Sequence, residues 1–175
     1  IETFRKSQGP AHPAVAFFYS GLSHAFDQAG RRAEAIQYCE QALELFDGIY
    51  HEGHPGMIPP LLNLGGWYAV AGAHDSAIHC VRKAIALHEK FYGSNHAGLA
   101  ACRAVLGSVL QMAGKHPEAE ATFQEAIAKL DAALQDSVVG MDALSQAVSV
   151  SRRAAEYYQN RYLQTPDPAL LLHAR

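Results

Sequence analysis

The sequence GRRAEAIQYCEQALEL at residues 30–45 returns in altered form as GKHPEAEATFQEAIAKL at residues 114–130. Both segments begin at a glycine, continue with Glu-Ala, and then place apolar residues at the spacing of one helix face. A third copy begins at Gly72, midway between Gly30 and Gly114, so that the three copies are evenly spaced. A fixed period of this length predicts a stack of repeated helical units.

The loops that precede these segments repeat with the same period. His12, His54 and His96 each lie in such a loop, at the same even spacing. With the units aligned on these histidines, further columns match without a gap: Leu22/Leu64/Leu106, Ser23/Gly65/Gly107, Phe26/Tyr68/Leu110, Ala35/Ala77/Ala119, Cys39/Val81/Phe123, Ala42/Ala84/Ala126 and Leu43/Ile85/Ile127.

Each unit is predicted to contain two helices. Pro13 suits the first position of a helix, where its missing N–H costs nothing, and Gly30 suits the left-handed conformation that ends one. A second helix is expected from about Arg32 to the loop before His54. The equivalent pairs are expected at 55–71 with 74–91 and at 97–113 with 116–134. The column Ser23/Gly65/Gly107 contains small residues, and the chain has 31 alanines. Both features predict helices that approach one another closely.

Composition restricts the class of protein. Apolar residues form 49% of the 175 residues, which suffices for a core. The 14 Lys and Arg residues against 17 Asp and Glu residues argue against a nucleic-acid binder. No apolar run is long enough to span a membrane. Three cysteines without a CxxC pair favour a reducing, cytoplasmic location.

The order small residue, aromatic residue, Ala-Gly turn, Glu-Ala and Ala-Leu resembles the tetratricopeptide repeat. The 42-residue period and the loop GPAHP at 9–13 resemble its kinesin-light-chain-like class in particular. The resemblance implies an all-α, right-handed superhelical solenoid of helical hairpins. It also implies a protein–protein interaction scaffold, which binds a peptide or a helix of a partner in a concave groove.

The resemblance divides the chain into repeat units and flanking segments. The units are expected at 12–53, 54–95 and 96–137. Residues 1–11 match the end of a second helix, so we expect the truncated end of a preceding repeat and a larger parent protein. A long helix at 138–163 is expected to cap the stack, with Val148 in the column of Leu106. A tail at 164–175 carries three leucines.

No pattern in the sequence predicts catalysis. There is no GxSxG, HExxH, phosphate-binding loop or GxGxxG motif. Cys39 occupies a core column and Cys80 adjoins one, while Cys102 has no neighbouring His-Asn set. The three loop histidines lie too far apart to share an ion, so we expect them to anchor their loops. The chain is therefore expected to be no enzyme and to need no metal or cofactor.

The resemblance also assigns the residues that line the groove, since the first helix of each unit faces it. These positions are Phe17, Ser20, Gly21, His24 and Asp27, then Pro59, Leu62, Asn63, Gly66 and Ala69, then Ala101, Ala104, Val105, Ser108 and Gln111. Asn63 matches the asparagine that binds the peptide backbone in many relatives. No Lys or Arg occupies these positions, so a basic clamp for a terminal carboxylate is not expected. Pro59-Pro60 predicts that the regular helix starts at about 59, with an irregular segment at 57–60 beside the groove.

Three questions remain open: the function of the chain, the role of His24 and the role of Arg103. Exposed ends of the stack, including the tail leucines at 170–172, would favour a homodimer, and the chain could instead recruit a substrate to a larger enzyme. His24 is either a ligand contact or a solvated imidazole. Arg103, in a column of large apolar residues, either packs its stem with the guanidinium in water or contacts an anion. The expected partner is a protein or peptide rather than nucleic acid or membrane.

Overall fold

The computed structural model of the chain describes residues 12–135 and 141–164. These residues form helices and connecting turns without a strand, which confirms an all-α helical repeat. The helices are α1 (Pro13–Gln28), α2 (Arg32–Ile49), α3 (Ile58–Val70), α4 (His74–Tyr92), α5 (Ala97–Met112), α6 (His116–Gln135) and α7 (Met141–Gln164). The right-handed superhelical path of the stack remains a prediction.

Consecutive helices pair into the three hairpins α1/α2, α3/α4 and α5/α6, and each hairpin packs on the next. The turns inside the hairpins contain Gly30, Gly72 and Gly114, with φ angles of 73°, 80° and 72°. Only glycine adopts this left-handed conformation without strain, which explains the repeated Ala-Gly dipeptide. The helices of each hairpin fall inside one of the expected units. The expected repeat end at 1–11 and all but the first residue of the tail at 164–175 lie outside the described residues.

The three loop histidines cap the first helix of each unit or the short turn before it. In each case the imidazole Nδ1 accepts a hydrogen bond from the backbone N–H two residues further on. The distances are 3.2 Å for His12, 2.9 Å for His54 and 3.1 Å for His96. An N-terminal N–H of a helix has no partner inside the helix, so a side-chain acceptor stabilises it. The prediction that these residues anchor their loops is confirmed.

The two helices of a hairpin meet at the column of small residues. A Cβ placed on Gly65 would lie 2.4 Å from Val81 Cγ2, and one placed on Gly107 would lie 2.9 Å from the Phe123 ring. Real atoms do not approach so closely, so the absence of a side chain allows the contact. The bulky residue of the second helix thus occupies the space that the small residue of the first helix leaves.

Pro59 and Pro60 do not form the irregular segment that the sequence predicts at 57–60, although the helix does begin at Ile58, close to the predicted start at about 59. A short 3₁₀ turn, Pro55–Met57, leads directly into α3, and both prolines lie in the first turn of that helix. Backbone N–H groups of a first turn need no partner inside the helix, so proline fits there. Pro60 is buried, and its carbonyl accepts a 3.2 Å hydrogen bond from Cys39 Sγ.

Helix α7 covers the third unit and begins at Met141, while 138–140 lie outside the described residues. Its buried residues are Val150, Ala154, Tyr157 and Tyr158. The Tyr157 ring packs 4.9 Å from that of Phe123, and its hydroxyl donates a 3.0 Å hydrogen bond to the His116 carbonyl.

On the other face of α7, the exposure of Val148 differs from that of the repeat column in which the sequence places it. This side chain is 68% exposed, whereas Leu106, in the same column, is only 9% exposed. Leu106 lies on a helix that forms a hairpin with a second helix. Among the described residues, no second helix forms a hairpin with α7, so no helix covers Val148.

His88 is a buried polar residue at the junction between the second and third units, where it contacts the exposed rings of Tyr92 and His96. Its side chain is 6% exposed, and its ring lies 4.8 Å from Tyr92 and 5.1 Å from His96. Its Nδ1 atom is buried without a hydrogen-bond partner. Burial, and secondly the nearby charge of His96, lower the pKa of His88. The junction between the first two units has Phe46 at the same position, and that ring stacks on His54.

We expect Ala77→Leu and Ala119→Leu each to lower the free energy of unfolding by about 1–3 kcal/mol, because both sites are fully buried in close helix contacts. Urea unfolding followed by circular dichroism measures the effect. The matched controls are the exposed Ala86→Leu and Ala121→Leu, on the same two helices. Equal stability of the buried and exposed variants would show that the helix register is wrong.

We expect the free energy of unfolding to fall as the pH drops below about 6.5, the ordinary value of histidine. The folded chain binds the His88 proton less tightly than the unfolded chain does, so protonation favours unfolding. In His88→Leu this part of the pH dependence should disappear, whereas His79→Leu, exposed on the same helix, should retain it. Urea unfolding at pH 7.5 and 5.5 gives the comparison, and equal slopes for His88→Leu and the parent chain would contradict it.

Candidate functional site

A cavity of about 340 Å³ opens between the first helices of the second and third units. Three helices contribute to it: α3, α5 and α7. The lining residues are Leu62, Asn63, Gly66, Trp67, Val105, Ser108, Val109, Met112 and Arg153. We refer to this space as the α3–α5 cavity. Such a cavity is predominantly apolar with a few polar groups, which is the usual character of a ligand site.

The apolar lining includes side chains that are fixed in the core. Gly66, which has no side chain, leaves open space between them. Trp67 and Val109 are buried, so their positions are set by the packing of the stack. Met112 is exposed. Because a methionine side chain is unbranched and adaptable, it suits contacts with varied ligands. A Cβ placed on Gly66 would meet no atom within 4 Å. The space beside this glycine is therefore open to a ligand.

The polar lining consists of Asn63, Ser108 and Arg153. The Asn63 amide makes no hydrogen bond to any part of the chain that the structure describes. Ser108 Oγ donates a 3.1 Å hydrogen bond to the Ala104 carbonyl and accepts a long one, 3.4 Å, from Arg153 Nη1. Arg153 Nε is buried without a partner, and burial lowers the pKa of this guanidinium. The cavity therefore presents a free amide, and it is bordered by a cation whose Nε is enclosed without a partner.

Five of the predicted groove residues come together here. Leu62, Asn63 and Gly66 line the cavity from α3, and Val105 and Ser108 line it from α5. Ala104 is fully buried and offers no surface to a ligand, so its assignment to the groove is wrong. It belongs to the buried cluster that the second and third units share with α7.

The predicted residues of the first unit lie away from this cavity. Phe17 is 49% exposed, and its ring packs 5.0 Å from that of Phe46. Asp27 forms a 3.4 Å ion pair with Arg32, and His24 is exposed. Ser20 on α1 and Gln111 on α5 are half-buried outside the cavity lining. The structure therefore does not join all fifteen predicted groove positions into one pocket.

Sequence reasoning missed Arg153, which lines the cavity although none of the assigned groove positions carries Lys or Arg. Arg153 follows Gln111 by one full repeat period and so occupies the same column as the predicted groove positions Asp27, Ala69 and Gln111. Extending the period into the capping helix would have identified it. Trp67, Val109 and Met112 were also missed, because they lie one position beside the assigned groove columns.

Arg103 contacts anions, as one of its two predicted roles requires, but they are carboxylates of this chain and not a ligand at the groove. Its guanidinium forms ion pairs with Glu89 at 3.0 Å and with Glu125 at 3.5 Å. The side chain is only 18% exposed, so the charge is held between α4, α5 and α6 rather than in water. The anions that Arg103 contacts therefore belong to this chain.

The cysteine thiols are held in their neutral form. Burial raises the pKa of Cys39 to about 12 and that of Cys102 to about 11. The pKa of Cys80 is also raised, chiefly by burial. A thiol with a raised pKa is a poor nucleophile. Within residues 12–135 and 141–164, no three His, Cys, Asp or Glu side chains are grouped so that they could hold a metal ion.

Comparison with known families agrees with this geometry. Models of the tetratricopeptide repeat match residues 18–47 and 57–132, together more than half of the chain. The chain is therefore a tetratricopeptide-repeat protein, and repeats of this family generally serve as protein–protein interaction modules. No curated protein matches the sequence. In the described part of the chain, no helix has the length and apolar character needed to cross a membrane.

We expect Cys39 and Cys102 to resist thiol reagents in the folded chain at pH 8, because the reactive thiolate is scarce in both. Reaction with a chromogenic disulfide, followed by peptide mass mapping, measures the modification of each site. In denaturant all three cysteines should react. Rapid labelling of Cys39 under native conditions would show that α2 is not packed as described.

Proposed function

We propose that the chain binds an extended peptide segment or a helix of a protein partner along its first helices, with the α3–α5 cavity at the centre of the contact. The observation that carries this proposal is the free amide of Asn63 in an open, apolar cavity. A peptide backbone offers both donors and acceptors, and an amide side chain pairs with either. Fixed apolar walls would accept a side chain of the same peptide.

The position of Asn63 inside a helix supports a role in binding. Asparagine in a helix interior is less favourable than alanine by roughly half a kcal/mol. Asn63 recovers none of this through a hydrogen bond within the described chain. Its amide is thus available, and a hydrogen bond to a desolvated peptide group contributes around 1 kcal/mol net.

A second function, self-association, is favoured by a different surface. Met141, Leu144 and Val148 form an exposed apolar stripe on α7. In the preceding units the column of Val148 packs against a second helix of the hairpin. A second copy of the chain could cover the stripe and form a homodimer. Recruiting a substrate to a larger enzyme would use the same cavity as peptide binding.

The finer assignments are also proposals. We assign the repeats to the kinesin-light-chain-like class on their 42-residue period. We infer a cytoplasmic location from three cysteines without a paired motif. We propose a binding role without catalysis, since the free polar groups of the cavity are an amide and a guanidinium rather than an activated nucleophile.

The test begins with peptides selected on the parent chain from a random display library. We expect Asn63→Ala to weaken binding of these peptides several-fold or more, because one hydrogen bond is lost in a desolvated site. We expect Gly66→Leu to weaken it further by filling the cavity. Neither change should lower the melting temperature, since Asn63 is unpaired and the space beside Gly66 is empty. Fluorescence polarisation gives the dissociation constants.

The matched control is Gln37→Ala, which removes an exposed amide from α2. This variant should bind like the parent chain. An equal loss in Gln37→Ala and Asn63→Ala would contradict binding in the cavity. A dimer by light scattering that is lost in Val148→Asp, with no peptide binding to the cavity, would favour self-association instead.

A further inference from the structure

We propose that His88 and His96 form a pH-sensitive latch between α4 and the first turn of α5. The latch holds the third unit on the second while both imidazoles are neutral, and it loosens locally when the solution becomes acidic. Because the α3–α5 cavity spans the same two units, the latch also makes peptide binding sensitive to pH. This effect on binding rests on the proposed function, whereas the latch itself does not.

The two junctions between units contain the same arrangement of three rings with one difference. At the first junction Phe46 is fully buried, and its ring stacks on that of His54 with the centroids 5.6 Å apart. One repeat period later, His88 takes the place of Phe46, and its ring lies 5.1 Å from that of His96. A tyrosine completes each junction: Tyr50 and Tyr92. The second junction therefore contains a titratable ring where the first contains a ring that cannot be charged.

The packed site of His88 offers poor support for a positive charge. The side chain is 6% exposed, and its Nδ1 atom is buried without a hydrogen bond to the described chain. The other ring nitrogen lies against α5, since a Cβ placed on Gly98 would be 2.5 Å from His88 Nε2. A protonated imidazole has two N–H donors that need acceptors. Protonation of His88 is therefore unfavourable unless the ring and the start of α5 move apart.

The titratable groups that contact His88 or act on its charge are Tyr92 and Glu89 on α4 and His96 at the start of α5. After burial, the charge of His96 is the larger cause of the lowered pKa of His88. The backbone of His88 itself and the Glu89 carboxylate act in the opposite direction with smaller effect. Glu89 also forms a 3.0 Å ion pair with Arg103 of α5, which partly compensates its charge. These surroundings favour the neutral ring near neutral pH.

His96 also needs an uncharged ring in order to hold α5. Its Nδ1 accepts a 3.1 Å hydrogen bond from the Gly98 N–H, and a protonated Nδ1 cannot accept one. A positive ring at this end of the helix is also unfavourable, because the helix dipole is positive there. Gly98 thus contacts both imidazoles, so protonation of either one disturbs the same turn. Val105, which lines the α3–α5 cavity, lies two turns further along α5.

Hydrogen–deuterium exchange of the free chain at pH 7.5 and pH 5.5 tests the latch without a ligand. After correction for the intrinsic pH dependence of exchange, we expect protection of the amides at 98–106 to fall about fivefold or more at the lower pH, as for the loss of a helix cap. Protection at 56–64, the equivalent segment of the second unit, should fall less because Phe46 cannot be protonated. A uniform loss over the chain, or no loss at 98–106, would overturn the latch.

The variants replace His88 with residues that the repeat already uses at this column. His88→Phe introduces the residue of the first junction, and His88→Leu introduces that of the third unit, where Leu130 is buried. The extra loss of protection at pH 5.5 should disappear in both, and if one variant does not fold, the other gives the result. His96→Asn retains an acceptor for the cap without a titratable ring and should reduce the loss. The matched control is His79→Leu, exposed on α4, which should behave as the parent chain does.

Binding of the peptides selected on the parent chain tests the effect on the cavity. For peptides without histidine, we expect the dissociation constant to rise several-fold from pH 7.5 to pH 5.5, because only the closed fraction of molecules binds. The rise should persist in His79→Leu and be absent in His88→Leu.

The possible failures are distinguishable. Equal losses of protection in His88→Leu and His79→Leu would overturn the latch and leave the proposed function intact. Local loss of protection at pH 5.5 with unchanged peptide binding would overturn the regulation of the cavity and support the latch alone. A library without binders would contradict the proposed function, whereas the exchange experiment on the free chain would still decide whether the latch exists.

Discussion

The close contact between the two helices of each hairpin is the constraint on which the rest of the structure depends. Gly65 allows Val81 to approach α3, and Gly107 allows the Phe123 ring to approach α5. A single hairpin packed in this way leaves one apolar face exposed, and stacking on the next hairpin buries that face. The regular repeat period then brings α3 and α5 side by side, and the α3–α5 cavity is a consequence of that arrangement.

The capping helix α7 has two roles in the molecule. Tyr157 packs on Phe123 and holds the helix against the third unit, which covers the apolar end of the stack. Arg153, one turn earlier, brings a cation to the cavity. The same helix therefore stabilises the repeat array and determines the charge of the proposed binding surface. Changes at Tyr157 would be expected to disturb both properties, whereas changes at Arg153 would disturb the second.

Most of the fold could be predicted from the sequence, because the relevant signals are local and repeated. Pro13, the Ala-Gly turns and the loop histidines mark helix ends through backbone chemistry alone, and the observed bounds agree closely. The burial of Ala104 could not be assigned in the same way, because it depends on how successive hairpins pack. The repeat period does place Arg153 in a groove column, but its contact with the cavity depends on how the capping helix lies against the third unit. Val148 shows the same limit, since a column predicts burial only where a partner helix is present.

The most direct test of peptide binding in the α3–α5 cavity is an amide chemical-shift map of the ¹⁵N-labelled chain bound to a selected peptide. The side-chain N–H signals of Asn63 and Arg153 report on the two free polar groups of the cavity. We expect both signals to shift on binding, together with backbone amides of α3 and α5. Shifts confined to the outer surfaces of α4 and α6, or to the exposed stripe of Met141, Leu144 and Val148, would contradict binding in the cavity.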